Sequence, residues 1–523
     1  MNKDYVVSEN GDQMVKVRSD QVMNNAGGYV FTVNDQTKML RFLILGSENG
    51  SYYVGKDRKI ANTMNFLKEF MATEEGALQA LELALDVKAN NRAYKVDPSL
   101  LVLGMALASP FPQINGKAYE YMGVMCATPT QLFDAISYAR SFGKGWGRAF
   151  KRAISRFYTE KEAYRLSYAM AKYQSRNGWS HKDLLRLTHP VPKDQQHLIL
   201  YRWATGHDDI NDKLFGLVKG LELIKKAEDE ETVVDLIDIY KAPFEVVPTE
   251  WLKSPNVWRS LSTNMGYISI IRSLARMAMA SVMDDPEWVM FLSDRIKDQS
   301  SISAMNVHPL QLFLALMTYK NGKNEHGREW AVSVEIVDAL EQAFSMALKN
   351  VEDMGLRISI GLDVSGSMGG EVLPGISARE AAAAIIKVFQ NCGNLTINAF
   401  SHNFKRLDIQ AGDSVQKIVS RVSGMMFGAT DCALPMIDAA RKDEFYDLFV
   451  VLTDNETWAG HIHPYKALQQ YREKINPNAK LVVLATENTE FSIADPSDSG
   501  MLDIAGFDAN VGNIITDFIK GNI

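Results

Sequence analysis

At 523 residues the chain exceeds what one hydrophobic core organises, and 46% hydrophobic with 23% charged residues excludes wholesale disorder. Three scattered cysteines, Cys126, Cys392 and Cys432, supply neither a disulfide framework nor a zinc cluster and fit a reducing compartment. The net charge of −7 hides an asymmetry: residues 138–206 carry 14 basic and 4 acidic side chains, and binding of a polyanion answers to that local field.

Residues 1–15 have no apolar signal core, and no run is long and apolar enough to span a bilayer, so a cytoplasmic protein without a membrane partner is expected. Gly50 to Lys56 matches most of a phosphate-loop pattern. Asp57 stands where Ser or Thr should hold magnesium, so the segment reads as a turn.

From about residue 60 to 350 the pattern is helical. EEGALQALELALDVKA, TPTQLFDAISYARSF, EKEAYRLSYAMAKYQ and SVEIVDALEQAFSMALK place apolar residues at three- and four-residue spacing, with Gly, Pro and Asn between them. Many consecutive amphipathic helices favour a stacked array. Within it Arg148, Arg152 and Arg156 share a helix face. Lys161, Arg165, Lys172 and Arg176 are expected on the next helix, within about 60° of arc. Ser180 and Asp183 have capping-box spacing, so His181, Lys182 and Arg186 open a third helix. Trp146, Tyr164, Tyr168 and Trp179 are interleaved with these cations. Cationic faces with nearby aromatics suit phosphates and splayed bases. At the positive end of a helix dipole, His181 is expected to act as a neutral hydrogen-bonding side chain.

After about residue 353 the runs LRISIGLD, LTINAFS, DLFVVLTD and KLVVLAT alternate with helical stretches, indicating a doubly wound α/β domain with a largely parallel sheet. The expected division is therefore 1–350 and 351–523. The first run leads into an Asp-x-Ser-x-Ser loop with Asp363, Ser365 and Ser367; Thr430 lies in a later loop and Asp454 ends another strand. Two carboxylates and three hydroxyls, all oxygen donors, suit a hard octahedral cation, magnesium above other divalent ions. In this order the five resemble the metal-ion-dependent adhesion site of von Willebrand factor A domains. That likeness implies Ser365, Ser367 and Thr430 nearest the ion, Asp363 and Asp454 acting directly or through water, and a position left for a partner's carboxylate. His461 and His463 lack a companion at zinc-site spacing. No Gly-x-Ser-x-Gly, His-Glu-x-x-His or paired acid/base carboxylates are present, so no enzymatic role is expected.

The segments NNAGGYVFTVNDQTKMLRFLILGSENGSYY (24–53), GWGRAFKRAISRFY (145–158), KYQSRNGWSHKDLLRLTHP (172–190), NVHPLQLFLALMTYKNGK (306–323), GATDCALPMIDAA (428–440) and LTDNETWAG (452–460) go further. Together they resemble the Ro autoantigen family, the TROVE-domain proteins of small ribonucleoproteins. The resemblance implies a ring of HEAT-like helical repeats, followed by a von Willebrand factor A-like domain that joins its ends. It implies a small noncoding Y RNA on the outer basic surface, with Arg148, Lys151, Lys172, Arg176, His181, Lys182 and Arg186 as contacts. It also implies that single-stranded 3′ ends of misfolded or damaged RNA enter the central hole, and that an exoribonuclease is tethered through the RNA to a monomeric scaffold for RNA quality control. The competing expectation is a cation-dependent protein-interaction adaptor using the α/β domain.

Overall fold

The computed structural model describes residues 12–45 and 64–521, apart from 25–26, 33–34, 94–95, 208–209, 211–214, 325, 402, 424, 426–429, 454–456, 486–490, 496, 506 and 508–510. The loop-like Gly50 to Lys56 segment and the expected metal ligand Asp454 lie outside the described residues, as does the side chain of Ser367.

Contacts group the chain into two compact units that do not follow its order. One comprises Met64–Ile296 with His326–Ala339, the other Met1–Thr63, Lys297–Glu325 and Leu340–Ile523.

The first unit is helical. Helices Glu74–Ala89, Asp97–Ala108 and Pro112–Met125 pack on one another, and Pro129–Ser141 packs against Asp97–Ala108. That last crossing is close: a Cβ on Gly104 would lie 2.4 Å from the Cβ of Tyr138, so only glycine fits. Farther along, Arg148–Thr159 packs against Pro112–Met125 and His181–Thr188, and Ala163–Lys172 against Gln195–Ala204 and Gly216–Ile224. Each helix thus buries its apolar stripe against neighbours near it in sequence, which is how a stacked array gains its core. The starts are specified locally. Thr128 with Gln131, and Ser180 with Asp183, form capping boxes, while Thr73, Asp194 and Asp229 accept the N–H three residues on.

One helix is shorter than its charge spacing implies. The chain leaves the helix at Lys172, so Arg176 stands on a two-strand hairpin, Ser175–Arg176 paired with Trp179–Ser180, and Lys161 precedes the helix start at Ala163. Asn177 and Gly178 at the turn take φ of +51° and +78°. An Asn-Gly pair accommodates two left-handed residues in a tight hairpin, and this overrides a helical charge period.

The second unit carries a six-stranded sheet in the order Met501–Ala505, Lys480–Ala485, Leu448–Thr453, Leu356–Asp363, Gly393–Phe400, Phe404–Leu407. All neighbours are parallel except the last, an antiparallel edge pair. Leu448–Thr453 is buried throughout, and Leu356–Asp363 is buried from Ile358 onward. Burial on both faces explains why these strands are mostly apolar rather than alternating. The chain leaves Leu356–Asp363 towards one edge through Ala378–Phe389, then returns to build the other edge from Leu448–Thr453. The order therefore reverses between those two strands, and a crevice at their carboxyl ends is where such sheets place ligands.

The N-terminal segment belongs to this unit. Gln21–Met23 and Tyr29–Thr32 pair antiparallel, and Phe491–Ser492 adds a third strand. Val30 and Phe31 enter the core that holds Phe449, Leu468, Tyr471 and Leu481. Arg18 lies over the rings of Phe31 and Tyr465 and pairs with the nearly buried Asp495. Gly28 is held so tightly that a Cβ there would lie 2.0 Å from the Thr457 carbonyl oxygen.

Candidate functional site

Two places in the fold concentrate chemistry, one in each unit. In the helical unit Arg148, Arg152, Lys182 and Arg186 are exposed, and Lys151 is half-buried. Their helices, Arg148–Thr159 and His181–Thr188, pack on each other, so the structure brings these cations into one neighbourhood. Among the described residues Arg148, Lys151, Arg152, Arg156 and Lys182 have no acidic partner. The local electrostatics are unusual. The Arg148 helix has no acidic residue in its first turn, and its N-cap, Gly147, has no side chain to satisfy the first N–H groups. Cations beside the positive end of a helix dipole repel it, and exposed N–H groups there call for an anion.

The remaining expected contacts are placed differently. Lys172 pairs with Glu245 at 3.2 Å. Arg176 is about half exposed and donates from Nε to Asp134 at 2.8 Å, and Asn177 Nδ2 donates to the same oxygen at 2.7 Å. Asp134 is nearly buried, and burial raises its pKa against the pull of Arg176. Arg176 thus anchors the hairpin as well as facing solvent.

His181 does not lie on the surface. It is 4% exposed, its Nδ1 accepts from the Tyr158 hydroxyl at 3.0 Å, and its Nε2 donates to the Tyr173 carbonyl at 3.0 Å. Tyr201 in turn donates to the Tyr158 carbonyl. This assignment follows from the partners, since a carbonyl only accepts. Its place is therefore inside the joint between helices, setting the position of Lys182 beside it.

Burial pushes the His181 imidazole from 6.5 down to about 4. Between those values the unfolded chain binds the proton and the folded chain refuses it, so His181 costs no stability above pH 6.5 and progressively lowers it towards pH 4. The helical unit is expected to lose about 2 kcal/mol through this residue between pH 7 and pH 5. Urea unfolding at the two pH values, compared with His181→Gln, measures it; an equal pH dependence in the variant would refute the assignment.

Trp146 and Trp179 are also committed internally. Their rings meet edge-on at 5.4 Å, and Trp146 stacks on Phe150 at 5.5 Å.

The second place is the reversal point of the sheet. Asp363, at the end of its strand, is fully buried; Oδ1 accepts from the Ser365 N–H and Oδ2 from the Thr453 hydroxyl, each at 2.9 Å. Thr453 ends the adjacent strand, and its Oγ1 is 3.7 Å from the Cys432 Sγ, which ties in the loop bearing Thr430. Ser365 and Thr430 are both buried. One buried carboxylate and two hydroxyls, without nitrogen or sulfur in the expected set, fit a hard cation such as magnesium.

Sequence reasoning passed over the residues that fix these loops. Gln13 is fully buried; its Nε2 donates to Asp431 Oδ1 at 2.7 Å and to the Ile462 carbonyl at 3.0 Å, while Oε1 accepts from the Thr457 hydroxyl at 2.5 Å. Asp431 also accepts from the Ala433 N–H, leaves Oδ2 without a partner, and is pushed by burial up to about 7. A Cβ on Gly460 would meet that carboxylate at 2.3 Å. His463, considered for zinc, is buried with Nε2 on the Val15 carbonyl and Nδ1 facing Gln21.

A helical array with a cationic face, followed by a doubly wound domain with an oxygen-lined strand-end loop, defines a TROVE protein carrying a von Willebrand factor A-like domain. The TROVE domain model matches residues 22–241 and the Ro60 vWA domain model matches 357–519. The chain is 34% identical to the RNA-binding protein RO60 of Deinococcus radiodurans over 98% of both chains. It is 32% identical to that of Caenorhabditis elegans, over 98% of this chain and 92% of the other. The crystal structure of the Deinococcus radiodurans Ro (RSR) protein matches with a TM-score of 0.78 at 31% identity, covering 94% of this chain and 100% of that one. The chain belongs to the Ro60 family.

Proposed function

We propose that this chain is an RNA-binding scaffold, in keeping with the two relatives named as RNA-binding proteins. The observation that carries this reading is the Arg148 helix start, where Arg148, Lys151 and Arg152, without acidic partners among the described residues, stand in the first turns of a helix whose N-cap offers no side chain. A phosphate resolves both conflicts at once. The RNA is a small structured noncoding RNA of the Y class, gripped through its backbone by Arg148, Lys151, Lys182 and Arg186. In this reading the central cavity implied by family likeness takes 3′ ends of misfolded or damaged RNA, and a Y RNA tethers an exoribonuclease to a monomeric cytoplasmic particle for quality control. Among the described residues no helix is long and apolar enough to cross a membrane. Purification from cells is expected to bring down small RNA that nuclease removes, and sequencing identifies its class; nucleic-acid-free protein with no affinity for structured RNA at low salt would refute the reading.

A second reading attaches to the reversal point of the sheet, where Asp363 and Ser365 lie at a strand end and Thr430 is buried in a later loop. With Ser367 and Asp454 these residues would hold a magnesium ion, which would supply a coordination position for a carboxylate of a protein partner. Asp363→Ala is expected to abolish magnesium binding by calorimetry and leave RNA affinity unchanged. Equal magnesium binding by the variant would remove the site.

A further inference from the structure

Three aromatic side chains are largely exposed among the described residues: Tyr164 at 69%, Tyr168 at 44% and Phe445 at 40%. Arg357 lies over the Phe445 ring at 5.2 Å. Among the described residues Tyr164 and Tyr168 have neither a ring partner nor a hydrogen bond to their hydroxyls. They are also unnecessary for packing. Their helix, Ala163–Lys172, buries Ala163, Leu166, Ser167, Met170 and Ala171, and the two tyrosines stand outside that buried stripe, four residues apart. Arg165 is exposed on that side and has no acidic partner, and Lys172 follows one turn beyond Tyr168.

We infer that Tyr164 and Tyr168 form a stacking platform for an unpaired RNA base, with Arg165 taking its phosphate. On a helix, side chains four apart leave their Cβ atoms roughly 5–6 Å from each other. That spacing is too small for a flat base between two parallel rings, so an unpaired base stacks on an outer face of either ring. A duplex cannot use such a platform, because its bases are already stacked and its backbone holds them out of reach. The phosphates of a duplex still engage the Arg148 and Lys182 neighbourhood. The platform is therefore specific for single-stranded or looped-out nucleotides, and being a π-surface it tolerates any base. Lys161 contributes less: its ammonium lies 4.4 Å from the Phe157 ring centre, and burial lowers its pKa.

The inference rests on the RNA-binding reading, and the test separates the two. Fluorescence anisotropy with the full chain compares a short oligouridylate with a blunt RNA duplex. Tyr164→Ala/Tyr168→Ala is expected to weaken oligouridylate binding at least tenfold, leave duplex binding within about twofold, and keep the thermal unfolding profile. Tyr164→Phe/Tyr168→Phe keeps the rings and is expected to bind like the parent. Unchanged oligouridylate affinity, equal loss on both RNAs, or loss in the phenylalanine variant overturns the platform. If the unaltered chain binds neither RNA, the RNA-binding reading falls and takes the platform with it.

Discussion

Gln13→Ala is expected to destabilise the α/β unit by about 2–4 kcal/mol, far more than a surface glutamine elsewhere. The reason is the number of buried groups that share this one side chain. Its amide is the only described side-chain donor to the Asp431 carboxylate, and its oxygen is the acceptor for the Thr457 hydroxyl. Removing it leaves a buried carboxylate, a hydroxyl and the Ile462 carbonyl to find other partners in a space closed to water. Gln13→Glu at neutral pH is expected to be worse, because it sets a second carboxylate against Asp431. Both loops concerned flank the proposed cation ligands, so magnesium affinity should fall along with stability. Urea unfolding monitored by hydrogen exchange over residues 12–32 and 430–465 reads the effect. Equal protection in Gln13→Ala would show that the N-terminal segment does not fasten these loops.

This latch also marks where sequence reasoning stops. Leu448–Thr453 and Lys480–Ala485 were legible because burial on both faces selects apolar residues, and the same bias marks the buried part of the two strands beside them. Phe404–Leu407 was not, since an edge strand with Lys405 and Arg406 has no such constraint, nor was Met501–Ala505, which carries Asp503. The strands Gln21–Met23 and Tyr29–Thr32 are too short for alternation to register. Gln13 lies 418 residues from Asp431, and a lone glutamine in a polar stretch carries no signal of burial. That Asp363 ends a strand and Ser365 follows in a tight loop was readable because the apolar run stops at Asp-x-Ser-x-Ser. In the helical unit, charge period alone misled at Arg176, where Asn177-Gly178 decides the backbone. Composition likewise grouped four aromatics by proximity to cations; packing divides them into a half-buried pair in mutual contact, Trp146 and Trp179, and an exposed pair, Tyr164 and Tyr168.

The largest functional effect is expected from Arg148→Ala/Lys151→Ala/Lys182→Ala/Arg186→Ala. If each cation neutralises one phosphate, removing four should reduce the magnitude of the salt slope of log K by roughly 3. At physiological salt that amounts to about a hundredfold loss of affinity for structured RNA, approximately uniform across sequences because phosphates carry no base identity. The fold should tolerate the change, since among the described residues none of the four has an acidic partner whose charge would be left uncompensated. Arg176→Ala provides the contrast. It withdraws the guanidinium from Asp134, a nearly buried carboxylate then left, among the described residues, with the Asn177 amide, so the hairpin loses stability as well as affinity. Filter binding between 50 mM and 400 mM salt, beside thermal unfolding of each variant, distinguishes the two kinds of loss. A quadruple variant with an unaltered salt slope would place the RNA backbone on some other surface, whatever its affinity.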